Sequence, residues 1–316
     1  MKRLTLLLLA VIAVTGLCAQ AVERNTYIYS VTSENDTLRL DLYTDASVAP
    51  PAEGRPSVIF VFGGSFRTGS RSESGYLDYF EFLAHQGYAV ASIDYRTGMS
   101  DFNPASGIGG FVSSLQSSVE MAVSDLFAAT EYLVANAESF NINPQEIIAS
   151  GSSAGAITVL QAEYAITCGH PAVAALLPEN FNYAGVISFA GAIMSADGEP
   201  KFLSEPCPIL LFHGDADSVV PYNRATINNA GLYGSEWIAR EMAEKGYPRE
   251  FYTISACGHE IATQPMAKNL YNVLAFLKES VGNKTRNIID VRQTATDAPK
   301  DYKTDFTLQD YIRSNM

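Results

Sequence analysis

Cysteine and histidine are scarce in this chain, with four of each among 316 residues. Cys18, Cys168, Cys207 and Cys257 stand far apart and form no C-x-x-C pair. That spacing argues against a disulfide framework and against a zinc site. No His/carboxylate pair has metal-ligand spacing either, so neither a metal nor another cofactor is expected. Basic residues are also few, 21 Lys and Arg against 34 Asp and Glu, for a formal net charge of −13. Without a Lys/Arg-rich run, nucleic acid and anionic membrane surfaces are poor partners, and no nucleic acid is expected to bind. Charged residues make up only 17% of the chain and hydrophobic ones 47%. This composition excludes a disordered chain and can fill a large core. There is no internal repeat, and no linker divides the sequence.

One targeting segment is expected at the start. Lys2 and Arg3 precede a nearly unbroken apolar run over residues 4–17, and Ala19 and Ala21 form an A-x-A pattern. This reads as a signal peptide over residues 1–21, cleaved after Ala21 or Ala19, with a secreted or periplasmic product. The run falls short of the roughly 18 residues that a membrane span needs. No later run reaches that length, so no stable membrane insertion is expected once the leader is removed. A catalytic domain is expected over residues 22–281, and a polar C-terminal extension over 282–316.

Residues 26–32 and 38–44 alternate apolar and polar, a hairpin-like pair of half-exposed strands. The pattern then changes to short unalternating apolar runs at 57–62, 88–93, 146–150, 183–189, 208–212 and 250–255. Such runs are what strands buried on both faces look like. Helix-period stretches lie between or after them at 76–86, 115–137, 154–164, 237–245 and 266–281. The alternation predicts an α/β fold, a mostly parallel sheet of about eight strands with helices on both faces. Ligands in such sheets bind at the C-terminal edge of the strands, where every motif below falls.

Gly151-Ser152-Ser153-Ala154-Gly155 matches G-x-S-x-G between a buried strand and a helix. A serine hydroxyl is a weak nucleophile and must stand on a sharp turn where a base can reach it. The glycines remove the clashes that such a turn creates. Ser153 is therefore the expected nucleophile, with the Ala154 N–H aimed at the developing oxyanion. Phe62-Gly63-Gly64-Ser65-Phe66 ends the first central strand, and the main chain of Gly64 or Ser65 is the expected second donor. Beyond the strand at 208–212 lie two candidate acids, Asp215 and Asp217. Asp217 is favoured because it can project from the loop, while Asp215 sits near the tight turn. Of His85, His170, His213 and His259, only His259 lies downstream of both acids. Ser153, Asp217 and His259 then follow the nucleophile, acid, base order of α/β-hydrolases.

These motifs, with Ile93-Asp94-Tyr95-Arg96 and Gly234-Ser235, make residues 38–277 resemble the α/β-hydrolase superfamily. The resemblance is to bacterial carboxylesterases of the acetyl-ester and feruloyl-ester type. It implies ester hydrolysis through an acyl-serine, with Ser153 as nucleophile, Asp217 orienting, and His259 as base and then acid. It implies an oxyanion hole from the N–H groups of Gly64 or Ser65 and of Ala154. Relatives usually read His-Gly-Gly-Gly at the oxyanion turn, where this chain has Phe62 and Ser65 in place of the histidine and the third glycine. Bracing of the turn must therefore differ, and Asp94, Tyr95 and Arg96 are expected to supply it, with Arg96 pairing to a carboxylate. Residues 97–118 should border the pocket, where Phe102 and Phe111 either receive a substrate group or pack the loop down. A small-molecule or carbohydrate-linked ester is the expected substrate. A peptidase of the same fold and a non-catalytic binding protein are the rival readings.

Overall fold

The computed structural model describes residues 22–33, 35–294 and 298–315. The expected leader over residues 1–21, Cys18 included, lies outside them.

Strands β1 (Glu23–Val31) and β2 (Thr37–Thr44) form the expected antiparallel pair. Then come β3 (Arg55–Val61), α1 (Leu77–His85), β4 (Ala89–Ile93), α2 (Gly107–Ala135), α3 (Ala137–Phe140), β5 (Ile142–Ser152) and α4 (Ala154–Thr167). After α5 (Pro171–Leu176) and β6 (Gly185–Phe189), the chain makes β7 (Ala192–Ser195), β8 (Ile209–Gly214), β9 (Arg224–Ile227), β10 (Ala230–Gly234) and α6 (Ser235–Glu244). It closes with β11 (Arg249–Ile254), α7 (Pro265–Lys268), α8 (Leu270–Phe276), β12 (Ile288–Gln293) and α9 (Leu308–Asn315).

Nine strands pair in the order β1-β2-β4-β3-β5-β6-β8-β11-β12, and only β2 runs against the rest. The apolar runs sit where their composition predicts. Every residue of β4, β6 and β8 is buried, because helices cover both faces. Rings of Phe189, Phe212 and Tyr252 stack across three neighbouring strands, with centroids 5.7 and 4.8 Å apart.

The strand order also places the site. From β3 the chain steps outward to β4, then returns to put β5 on the other side of β3, and continues away through β6, β8 and β11. Its order reverses between β3 and β5, where an open parallel sheet leaves a crevice at the strand ends. Phe62-Gly63-Gly64 follows β3 there, and Ser153 follows β5.

Three features differ from the sequence expectation. A separate antiparallel sheet, β7-β10-β9, stands beside the main one. Helix α2 begins at Gly107, eight residues before its periodicity suggests, although Gly107, Gly109 and Gly110 are poor helix formers. Packing of Phe111, Val112 and Leu115 around a cavity described below outweighs that propensity. Residues 282–316, read as a polar extension, include β12, a parallel edge strand on β11, and the helix α9.

Candidate active site

Ser153 stands between β5 and α4 with φ 52° and ψ −116°. This left-handed backbone is costly for a side-chain-bearing residue. Neighbouring contacts hold it there. The Ser153 N–H donates to the Phe189 carbonyl at 2.9 Å. A Cβ on Gly155 would lie 2.0 Å from the Val61 carbonyl oxygen, and one on Gly151 would lie 2.3 Å from the Gly155 backbone. Only glycine at both positions lets strand and helix meet closely enough to present the serine. The preceding Ser152 is buried, and its hydroxyl donates to the Ala262 carbonyl at 2.8 Å.

His259 opens a short 3-10 turn after β11. Its Nε2 lies 2.8 Å from Ser153 Oγ, and its Nδ1 lies 2.8 Å from Asp217 Oδ2. Asp217, on the loop after β8, has its side chain fully buried. The N–H groups of Val219 and Val220 donate to Asp217 Oδ1 at 2.8 and 3.0 Å. Burial, the largest influence, raises the Asp217 pKa, but hydrogen bonds from His213 and His259 outweigh it and hold the carboxyl well below its usual range. An ionised Asp217 fixes the proton of His259 on Nδ1 and leaves Nε2 free to accept from the Ser153 hydroxyl.

The second candidate acid has another task. Asp215 accepts from the Ala256 N–H at 2.8 Å, from Arg292 at 2.6 Å and from the Tyr302 hydroxyl at 2.9 Å. It ties the turn before His259 to the C-terminal segment. His85 pairs with Asp45, and His170 caps α5, both away from this cluster.

The oxyanion turn rises from β3 with Ser65 and Phe66 at φ 55° and 57°. Among the described residues, the N–H groups of Gly64, Ser65 and Ala154 make no hydrogen bond within the protein. Ser65 and Ala154 line the same cavity as Ser153. Gly64 is absent from that lining and borders a separate depression with Gly63 and Thr68. The geometry therefore favours Ser65 over Gly64 as partner to Ala154. Tyrosines brace the turn in the absence of a histidine. The Tyr95 hydroxyl donates to the Phe62 carbonyl at 3.0 Å, and its ring packs on Phe62 at 4.4 Å. The Tyr76 hydroxyl accepts from the Gly63 N–H at 3.2 Å. Of the expected bracing residues, Arg96 grips the buried Asp125 with Nε and Nη2, and Asp94 takes the Arg71 guanidinium at 2.7 Å. Sequence reasoning missed Tyr76 and Arg71.

The cavity at Ser153 offers about 70 Å³, and its walls are mostly apolar. Phe66, Phe111, Ile157 and Met194 form much of the wall, and Leu308, Tyr311 and Ile312 of α9 close it from the C-terminal side. Phe111 thus faces the cavity, while Phe102 packs edge-on behind it at 5.6 Å. The α9 contribution was also missed, although Leu308, Tyr311 and Ile312 have helical spacing. Cys168, Cys207 and Cys257 are free thiols.

Comparison with known proteins agrees with this architecture. Residues 14–163 match the carboxylesterase family. Over 112 residues the chain is 35% identical to gut esterase 1 of Caenorhabditis elegans, covering 35% of this chain and 18% of that protein. Over 132 residues it is 28% identical to lipase 1 of Geotrichum candidum, covering 41% of this chain and 22% of that one. The chain thus matches about a fifth of the length of these curated relatives. The butyrate-bound structure of esterase Est2 from Thermogutta terrifontis superposes with a TM-score of 0.59 at 24% identity, covering 81% of this chain and 94% of that one. With the nine-stranded sheet, its order reversal and the strained serine turn, this structural likeness shows that the chain has the α/β-hydrolase fold.

Proposed function

We propose that the chain is a serine carboxylic-ester hydrolase acting through an acyl group on Ser153. The observation that carries this reading is the unbroken relay from Ser153 Oγ through His259 to the buried Asp217, with both links at 2.8 Å. His259 takes the hydroxyl proton as Ser153 Oγ bonds to the ester carbonyl carbon. The carbonyl oxygen becomes an oxyanion facing the N–H groups of Ala154 and Ser65. The tetrahedral species collapses, the alcohol departs with the proton from His259, and Ser153 is left acylated. Water, deprotonated by His259, attacks the acyl carbon, and the acid product leaves as Ser153 recovers its proton.

The names of the sequence relatives, an esterase and a lipase, support an ester over an amide as substrate. The intact relay supports an enzyme over a binding protein. The cavity has space for roughly five water-sized groups, which supports a short acyl group of acetyl type over feruloyl. The alcohol portion, carbohydrate-linked or small, extends toward solvent. Residues 1–21, read as a leader, support action outside the cytoplasm. Among the described residues no helix is long and apolar enough to cross a membrane.

A fluorophosphonate probe and a pair of esters, p-nitrophenyl acetate and ethyl ferulate, test the reading. The wild type should take the probe and turn over the acetate faster than the ferulate, and Ser153→Ala should do neither. Equal labelling of both proteins, or no turnover of either ester, would overturn it.

A further inference from the structure

A second hollow lies beside the cavity at Ser153. It is a polar depression of about 250 Å³, bordered by Val119 and Glu120 of α2, Gln161 and Tyr164 of α4, and Asp197 and Glu199 after β7. The cavity itself offers about 70 Å³. Among the described residues, Met194 of β7 is the one that lines both. The two helices run past it in step. Leu115 of α2 and Ile157 of α4 line the cavity, while Val119 and Gln161, each four residues further on, line the depression. Residues four apart lie on one face of a helix, one turn along. The two hollows are therefore successive stretches of one groove along α2 and α4, with Met194 between them.

The backbone of Met194 is held independently of its side chain. Its N–H donates to Gln161 Oε1 at 2.8 Å, and β7 pairs it with Leu232 of β10. The residue is only 7% exposed, so its side chain fills the space between the two hollows. Shortening that side chain removes the filling and leaves the strand pairing in place. The two sides of the partition differ in character. The cavity is walled mostly by apolar residues, whereas Asp197 and Glu199 of the depression are exposed to water.

We propose that Met194 is a specificity-determining residue: it ends the acyl cavity and keeps the acyl group short, and without its side chain the cavity joins the depression and takes a longer chain. This rests on the ester-hydrolase reading and narrows its substrate class to short acyl groups. Helix α9 closes the cavity from the C-terminal side, while Met194 closes it along the groove, so the two limit the acyl group at different walls. A longer acyl chain follows the groove from Leu115 and Ile157 toward Val119 and Gln161, and its far end comes to lie in the water-facing depression.

Turnover of p-nitrophenyl acetate and p-nitrophenyl hexanoate tests it. Met194→Ala should raise the hexanoate-to-acetate ratio of kcat/KM about tenfold over wild type. Met194→Leu, of similar volume, should keep the ratio near the wild-type value. Gln116 lines the depression and not the cavity. Adding Gln116→Trp to Met194→Ala should therefore fill the depression and remove most of the gain. Should Met194→Ala fail to fold, Met194→Val takes its place, with an expected gain of about threefold. Fluorophosphonate labelling of each variant reports whether the Ser153 relay is intact. A labelled Met194→Ala with the wild-type ratio overturns this proposal alone, as does a gain that survives Gln116→Trp. A wild type that neither labels nor turns over either ester overturns the hydrolase reading as well.

Discussion

His213 Nε2 lies 3.3 Å from Asp217 Oδ2, the same oxygen that His259 Nδ1 reaches at 2.8 Å, and the His213 and Asp217 side chains are fully buried. The Ser235 hydroxyl lies 2.8 Å from His213 Nδ1, and the Val220 carbonyl accepts from Nε2 at 3.2 Å. With acceptors in both the Val220 carbonyl and Asp217 Oδ2, Nε2 is the donor and its N–H is aimed at the acid. His213 is a positioning residue for Asp217. His213→Leu should lower kcat on p-nitrophenyl acetate by about ten- to a hundredfold with KM little changed. Steady-state kinetics well below the melting temperature check this. A purely structural residue would lower the melting temperature and leave kcat of the folded fraction intact.

Gly155→Ala should disrupt the nucleophile turn. The added Cβ meets the carbonyl oxygens of Val61 at 2.0 Å and Phe62 at 2.7 Å, both backbone atoms of the strand end that carries the oxyanion turn. The expected cost is about 3 kcal/mol, with activity falling at least a hundredfold. Gly169→Ala is the control, because that position has φ 64° but open space around it. It should cost only about 1 kcal/mol and spare activity. Thermal melts and kinetics of both variants give the comparison.

Helix α9 should limit the length of the acyl chain. Leu308, Tyr311 and Ile312 close the cavity, and Asn315 Nδ2 donates to the Val219 carbonyl at 2.8 Å, beside the acid loop. Tyr311→Ala, or deletion of residues 306–316, should raise the rate on p-nitrophenyl octanoate relative to the acetate by about tenfold. A chain-length series measures the shift. An unchanged profile in the deletion variant would remove α9 from the acyl site.

Glu163 should make stability depend on pH. It is fully buried on α4, and Oε1 accepts from the Cys207 N–H at 2.8 Å and from Asn182 at 3.3 Å. Burial raises its pKa above the ordinary 4.5. A raised carboxyl stabilises the fold in acid and loses that contribution as pH rises through its folded value. Glu163→Gln should therefore melt close to wild type in acid and roughly 2–4 °C higher at alkaline pH. Melting curves across the pH range test the sign.

The parallel strands and the serine turn were legible because their signals are local. A strand buried on both faces must be apolar throughout, and the turn at Ser153 demands glycines at fixed spacing. Asp217 was separated from Asp215 only by its place on the loop, and the hydrogen bonds show the two serving different parts of the site. The small sheet was not read because β7, β9 and β10 are only four or five residues long and carry no extended apolar run. Its one local mark was Asn228-Asn229, both at positive φ in a two-residue hairpin turn. Strand β12 alternates between exposed and half-buried residues at a sheet edge, so it lacks the apolar run that marked the others. The roles of Tyr76, Arg71 and α9 depend on contacts between segments far apart in the chain, which no local pattern encodes.

The most direct test of the central claim is to quench turnover of p-nitrophenyl acetate with acid and weigh the peptides. The account predicts one acetyl group on the peptide spanning the nucleophile turn, located on Ser153 and absent from Ser153→Ala. Hydrolysis that proceeds with the acetyl group on Ser152 or elsewhere, or at an undiminished rate in Ser153→Ala, would contradict it.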